Sequence, residues 1–441
     1  MSAAANGLPI TNNQITSNAA VLTLKVLHAV IKFPEVVFLG TLTAMLFRPP
    51  DLKALPIDRV VFILLLGSMV LRQVTTRDRM RTYPATWPML ALLLLSLRGV
   101  LAQSYQAQAW SLFAAKWLVP FALFHAAGTA FRSQRSLRKL ETFSIVVLLY
   151  LVAVSVLFFF DFKPLIFPKF ILDEGIGIHT DRARGPFLQA VANGVSITVL
   201  GLLALHSFER GRLRRVFATA LFVCTPLALL ATRTRAVWFA AAVSVVLLTF
   251  FGSSRSLRRA GMAFSVLTGI GLCLMVMYRA DSDAFSERLQ DRSPVDFRLD
   301  MYQAGWQMFT EKPLKGWGSE GRIQPEIARR ISNFHPEYFL FHNTYLELAV
   351  ERGIVGLFFY AWLMVCLFRL ARSPALEYEG ERDFLGRGFR KIWPLLLIVY
   401  FLNASAVVMN YQFVNGFLFT LAGILSAQNY RALRNLQQHA A

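Results

Sequence analysis

Charge is what this sequence has least of. Only 16% of its 441 residues are Asp, Glu, Lys or Arg, against about 25% in ordinary soluble domains. The apolar fraction is 55% and the mean hydropathy +0.48. Windows such as 60–71, 145–160 and 394–401 leave no face for water, which excludes a water-soluble enzyme. In hydrocarbon every backbone N–H and C=O must be satisfied within the segment, so these runs are helices. Cysteine is scarce too. Cys224, Cys273 and Cys366 each sit in an apolar run without CxxC spacing, which excludes a disulfide framework. Residues 1–20 are polar and uncharged. They lack the basic and apolar halves of a cleaved leader, so insertion is expected to use the first span. There is no Walker A motif, which argues against a nucleotide-driven pump, and no HExxH or paired-carboxylate array. Asp281-x-Asp283 resembles a DxD pair but has no further ligands and reads as solvated. No metal site and no cofactor are expected.

What is present is a long series of apolar segments. Spans are expected near 30–47, 57–72, 86–102, 109–130, 142–160, 186–206, 216–232, 235–251, 260–278, 353–370, 391–409 and 413–428. The first is interrupted by Lys32, Pro34 and Glu35, and residues 18–32 form an alternative interfacial helix. The fold class is all-α: a polytopic membrane protein of about 12 transmembrane helices with a helical outer segment between spans 9 and 10. Residues 1–278 would hold spans 1–9, 279–352 the outer segment, and 353–441 spans 10–12 with an inner tail.

The net charge of +20 would suit nucleic acid, but its distribution points to topology. The arginines crowd into alternate connections: Arg72, Arg77, Arg79 and Arg81; Arg132, Arg135 and Arg138 with Lys139; Arg210, Arg212, Arg214 and Arg215; Arg255, Arg258 and Arg259; Arg369 through Lys391; Arg431 and Arg434. By the positive-inside rule these loops and both termini are cytoplasmic, and the partner of the charge is the anionic lipid surface. The other connections face out: 103–108, 161–185, 231–234, 279–352 and 410–412. In the longest, Ser293-Pro294-Val295-Asp296 reads as a helix start. That helix should run to about Glu311, stopping before Pro313. Arg298, Tyr302, Gly305, Trp306 and Phe309 would share a face. A Gly-rich turn comes next over 315–321, then a short helix near 325–332.

Cations on the outer side break the rule and carry the functional signal. Arg233 and Arg235 either snorkel to the interface or clamp an anion. Their crowding in a very short turn, with Trp238 one turn on, favours the clamp. Arg182 and Arg184 either pair with Asp181 or Asp173, or serve an anion at a helix mouth beside Gly185-Pro186. Arg298 either pairs with Asp296 or Asp300, or joins Tyr302 and Trp306 in a site. Arg98 and Lys116 lie at apolar depth, where a charge is costly. They are buried structural ions or line a ligand path. His342 is the strongest single candidate. Thr344-x-x-Glu347 reads as a capping box, which sets His342 just ahead of a helix N-terminus. The dipole there disfavours imidazolium and leaves a neutral base near pH 7.

The motifs resemble those of the bacterial O-antigen ligase and polymerase superfamily. Arg184-Gly185-Pro186-Phe187 with Asn193 is similar to its Arg-x-Gly-x-Phe…Asn element, and Thr234-Arg235-Ala236 to its Ser-Arg-Gly/Ala element. Arg298 through Trp306 to Pro313-Leu314-x-Gly316-Trp317-Gly318 resembles its Arg…Trp…Pro-Leu-x-Gly-x-Gly element. His342-Asn343-x-x-Leu346 through Arg352-Gly353-x-x-Gly356 resembles its histidine motif. The likeness covers about 180–370. It implies a glycosyltransferase of the bacterial inner membrane with its site facing the periplasm. The donor would be a glycan on undecaprenyl diphosphate. The acceptor is lipid A-core in the ligase branch, or a second lipid-linked repeat in the polymerase branch. Arg184 and Arg235 would hold the diphosphate with Arg298 assisting, and His342 would be the base. Arg182 and Arg233 join the diphosphate set, and Arg98, Lys116, Tyr345 and Trp306 mark a substrate path. The aromatics Trp306, Trp317, Tyr302 and Phe334 stack on sugars or pack the outer segment. A transporter of the same lipid-linked glycans is the reading from another class. It predicts charges reachable from both sides, whereas these all lie outward.

Overall fold

The computed structural model describes residues 32–47, 57–76, 81–177, 179–251, 255, 258–259, 261–267, 269–270, 293–331, 341–372, 384–386 and 388–440. Most of the ninth expected span, with Cys273, Asp281, Asp283 and Phe334, lies outside the described residues. All regular structure among those described is helical. In chain order the principal helices are α1 (Pro34–Leu46), α2 (Ile57–Thr76), α3 (Thr86–Leu101), α4 (Ala107–Ala130), α5 (Gln134–Phe159), α6 (Ala190–Glu209), α7 (Arg215–Ala231) and α8 (Arg235–Phe251). Then come α9 (Ser293–Glu311), α10 (Glu320–Ala328), α11 (Thr344–Arg369), α12 (Phe389–Ala404) and α13 (Gln412–Ala440).

Four segments are long and apolar enough to cross a membrane: Ala107–Ala130, Gln134–Phe159, Ala190–Glu209 and Thr344–Arg372. Four shorter apolar helices accompany them, Pro34–Leu46, Thr86–Leu101, Arg215–Ala231 and Arg235–Phe250. Val216, Phe239, Phe250 and Phe358 are exposed on the outside of the bundle, a distribution suited to a lipid solvent.

Several boundaries differ from expectation. α5 begins at Gln134 because Ser133 and Ser136 form a reciprocal cap there, so the basic residues before the span are already helical. α11 begins at Thr344 and runs across the 352/353 division drawn from the sequence, with a non-helical Gly353 (φ 67°) inside it. The histidine motif and the apolar segment that follows it are thus one bent helix. α9 spans the segment its Ser-Pro start and Pro313 stop predict. α10 starts earlier than expected and carries Pro325 inside.

α13 packs along α4, and the approach is close enough to require glycine. A methyl on Gly423 would run into the Phe124 carbonyl oxygen. Small residues at such crossings let helix backbones meet in a membrane.

The two ends of the bundle differ in character. At one end Lys139 pairs with Glu35 (2.7 Å), Arg210 with Glu141 (2.8 Å), His206 with the Phe384 carbonyl (2.9 Å), and Arg81 lies over the Tyr430 ring (4.6 Å). These are the basic connections. At the other end Ala183 N–H donates to the Ala231 carbonyl (2.9 Å). There too Ser319 Oγ donates to the Gly99 carbonyl (3.1 Å) and Thr344 Oγ1 to that of Val407 (2.9 Å). The segments expected to face out therefore meet one another, and His342 lies among them.

Candidate active site

His342 occupies the residue before the N-cap of α11. The cap is Asn343: its Oδ1 accepts from the N–H groups of Tyr345 (2.9 Å) and Leu346 (3.1 Å). This corrects the expected Thr344-x-x-Glu347 box. Thr344 instead donates to the Val407 carbonyl and accepts from Met409 N–H (3.0 Å). Glu347 turns to Lys116 at 2.8 Å. With either cap His342 stands just ahead of the first turn of α11, at the positive end of the helix dipole.

His342 itself has φ 50°, unusual for a residue with a Cβ. Tyr302 on α9 secures it by donating its hydroxyl to the His342 carbonyl (3.2 Å), and the Phe297 ring stands edge-on at 6.5 Å. Burial lowers its pKa from the usual 6.5 to about 4, and the charges of Arg298 and His179 press in the same direction. The imidazole is therefore neutral near pH 7 and able to accept a proton.

The bend behind the histidine turn is built by the Gly-rich loop. At Gly353 the helix releases carbonyls, and the loop supplies the missing donors. Trp317 N–H donates to Val350 (2.8 Å), Gly318 N–H to Glu351 (3.0 Å), and Ile354 N–H reaches the Pro313 carbonyl (2.7 Å). The two backbones touch. A methyl on Gly316 would lie 2.5 Å from the Glu351 carbonyl carbon, and one on Gly353 2.5 Å from that of Leu314. This explains why the Pro-Leu-x-Gly-x-Gly and Arg-Gly elements occur together: each has a glycine where the backbone of the other passes. Trp317 belongs to the same clamp. Its Nε1 donates to Met308 O (2.7 Å), and Lys312 (3.4 Å) and Arg330 (5.5 Å) cover its ring. That corrects the sugar-stacking alternative for Trp317.

The arginines divide into two kinds. Arg184 is 1% exposed. Its guanidinium donates to the carbonyls of Ile171, Asp173 and Ile176, so neither expected ion pair nor an open anion site describes it. Asn193 Nδ2 bonds the Ala183 carbonyl (2.8 Å) and Ser155 (2.9 Å) from beneath. The Arg184…Asn193 element thus knots the 171–189 connection. Arg233, at φ 46°, meets Asp181 at 3.3 Å, and Arg182 is half-buried in the adjoining segment. By contrast Arg235, in the first turn of α8, and Arg298 on α9 are exposed. Arg298 is close enough to act on His342.

The expected substrate-path residues scatter. Arg98 is exposed in the last turn of α3, which removes its buried-ion reading. Lys116 is enclosed and paired with Glu347. Tyr345 is turned into the bundle, its hydroxyl donating to the Phe401 carbonyl (3.0 Å). Trp306 is 61% exposed beside Phe309. His179 is the residue the sequence reading missed. It lies in a connection without a helical period, and no pattern tied it to a motif 163 residues away. Asn343, read only as part of a motif, is the other. No group of three or more His, Cys, Asp or Glu able to hold a metal occurs among the described residues.

No curated protein matches the chain. Residues 220–361 match the family model described as O-antigen ligase. That stretch, about a third of the chain, carries the Thr234-Arg235 turn, Arg298, the Gly-rich loop, His342 and the bend at Gly353, and the match supports the resemblance to the O-antigen ligase and polymerase superfamily.

Proposed function

We propose that this membrane protein is an inverting, metal-independent glycosyltransferase of the ligase type. It moves a glycan from undecaprenyl diphosphate to the lipid A-core oligosaccharide. In this reading it spans the bacterial inner membrane twelve times, with both termini cytoplasmic and the His342 end, including the 279–352 segment, in the periplasm. The observation that carries the proposal is the environment of His342: a neutral imidazole just ahead of the Asn343-capped start of α11, its backbone carbonyl bonded by Tyr302, with an exposed arginine near enough to act on it.

An acceptor hydroxyl gives its proton to the imidazole as its oxygen bonds to the anomeric carbon. The bond from that carbon to the phosphate oxygen breaks, and undecaprenyl diphosphate leaves with the electron pair. Arg235 and Arg298 stabilise the growing charge, with Arg182 and Arg233 beside them. One guanidinium at about 4 Å from a phosphate contributes on the order of 4 kcal/mol at an effective dielectric of 20, before desolvation. The planar fork suits a diphosphate. Arg184, with its donors engaged by carbonyls, holds the connection that presents Arg182 and Asp181.

The test is transfer in vitro with purified protein, lipid-linked glycan and EDTA, offering either lipid A-core or a second lipid-linked repeat. Transfer to core should persist in EDTA and vanish in His342→Ala while donor binding remains. Metal dependence would remove the arginine role. Elongation of the second repeat in place of core would make the protein a polymerase.

A further inference from the structure

Lys116 and Glu347 meet at 2.8 Å, with side chains only 12% and 14% exposed. The arrangement is costly at each end. Lys116 sits in a π turn, Ala114–Leu118, inside a helix apolar enough to cross a membrane. Such a turn inserts a residue and re-aims the side chains beyond it, at the expense of regular helix bonding. A lysine at that depth is expensive, and apolar side chains of similar volume join two helices at least as well as a buried ion pair. These costs converge on Glu347, in the first turn of α11, whose N–H donates to the Asn343 carbonyl at 3.0 Å. His342 is the next residue back.

A backbone at φ 50° persists only where its surroundings over-determine it. Tyr302 reaches His342 from α9, while Val407, Met409 and Phe401 hold Thr344 and Tyr345 from the α12 side. Lys116 adds the tether from α4. The pair borders a cavity of about 40 Å³ shared with Thr344, Glu351 and Tyr360, and the Tyr360 hydroxyl is buried there with no hydrogen-bond partner among the described residues. Glu351 extends the row of charges. It lies 3.5 Å from Arg352, whose Nε reaches Ser96 on α3 at 3.3 Å. One flank of the outer half of α11 is thus held to two helices from the first third of the chain, to α4 by an ion pair and to α3 by a hydrogen bond from a guanidinium.

We propose that Lys116 and Glu347 are a positioning pair for His342. They set the rotation and depth of the first turn of α11, and with them the place where the imidazole meets the acceptor hydroxyl. This rests on the reading of His342 as the base.

The test uses full-length protein in phospholipid nanodiscs. Lys116→Met/Glu347→Leu removes both charges at similar volume, and Lys116→Glu/Glu347→Lys reverses them. Three quantities are read: thermal melting, the rate of carbethoxylation of His342 by diethyl pyrocarbonate followed by mass spectrometry, and transfer kinetics. The apolar variant should melt within a few degrees of the native protein. Its His342 carbethoxylation rate should change at least threefold and kcat fall tenfold or more, with donor KM within about twofold. The reversed pair should regain at least half of kcat. Native carbethoxylation and kcat in the apolar variant, or a folded reversed pair no faster than it, would overturn the proposal. Should the apolar variant not fold, Glu347→Gln keeps the reach and loses the charge, and a native rate there overturns it equally. Full transfer by His342→Ala would instead sink the base assignment, while the carbethoxylation rate would still report on the pair.

Discussion

The guanidinium of Arg352 lies against Gly99 so closely that a methyl on Gly99 would sit 2.6 Å from Nη1. Arg352 is 7% exposed there, with Ser96 and Glu351 as partners. Gly99→Val should displace that head from its partners and cost about 1–3 kcal/mol by overpacking. The check is thermal melting in detergent. Melting unchanged from the native protein would mean that the α3–α11 contact yields freely.

The cap at Asn343 gives a second prediction. Asn343→Ala loses both side-chain bonds to the first turn and should cost about 1 kcal/mol of stability, with a fall in kcat because His342 is adjacent. Asn343→Asp keeps an acceptor and should retain most of the stability. Equal melting temperatures for the Ala and Asp variants would contradict the assignment of Asn343 as the cap.

Arg184 and Arg235 should separate in their consequences. Arg184→Ala leaves the carbonyls of Ile171, Asp173 and Ile176 without their donor, so melting should fall by the equivalent of a few kcal/mol. Arg235→Ala alters an exposed side chain, so melting should hold while donor affinity falls about tenfold or more. Scanning fluorimetry and donor titration on the same preparations decide between these outcomes.

His342 makes stability and rate depend on pH. Its folded pKa of about 4 lies below the ordinary 6.5, so as pH falls the unfolded chain takes up this proton first. The contribution to stability is full above pH 6.5 and is lost as pH drops through 4. His342→Gln should therefore flatten the decline over that window. In catalysis, the acid limb of kcat/KM reports the free enzyme and that of kcat the donor complex. A bound diphosphate offsets the repulsion from Arg298, so the kcat limb should lie at higher pH. Coincident limbs would show that no anion reaches His342.

Much of this was legible in sequence, for reasons that are local. The Ser293-Pro294 start and the Pro313 stop delimit α9 because proline constrains its own backbone and that of its neighbour. The basic connections separate the two ends because charge resists hydrocarbon. His342 stands out because it sits at a helix start on the side where arginines are the exception. What stayed hidden is non-local or degenerate. Asn343 and Thr344 are both competent caps, and only the demand of Val407 and Met409 on Thr344 decides between them. Arg184 is bound by carbonyls, which every residue carries, so no side-chain pattern announces its partners. Lys116 and Glu347 are separated by 231 residues. The continuity of α11 through Gly353 depends on the loop that fills the bend, and a glycine in an apolar run does not disclose that.

The bend at Gly353 has a mechanical consequence. α11 runs from the histidine turn into the part of the chain that meets lipid, so a change in bilayer thickness that tilts the apolar half would otherwise swing His342 with it. The contacts of Pro313, Trp317 and Gly318 grip the helix at the fulcrum. With the upper half of the helix gripped there, Gly353 is the point at which a tilt of the apolar half would be taken up, and the turn that carries His342 is held by the loop and not by the lipid-facing half.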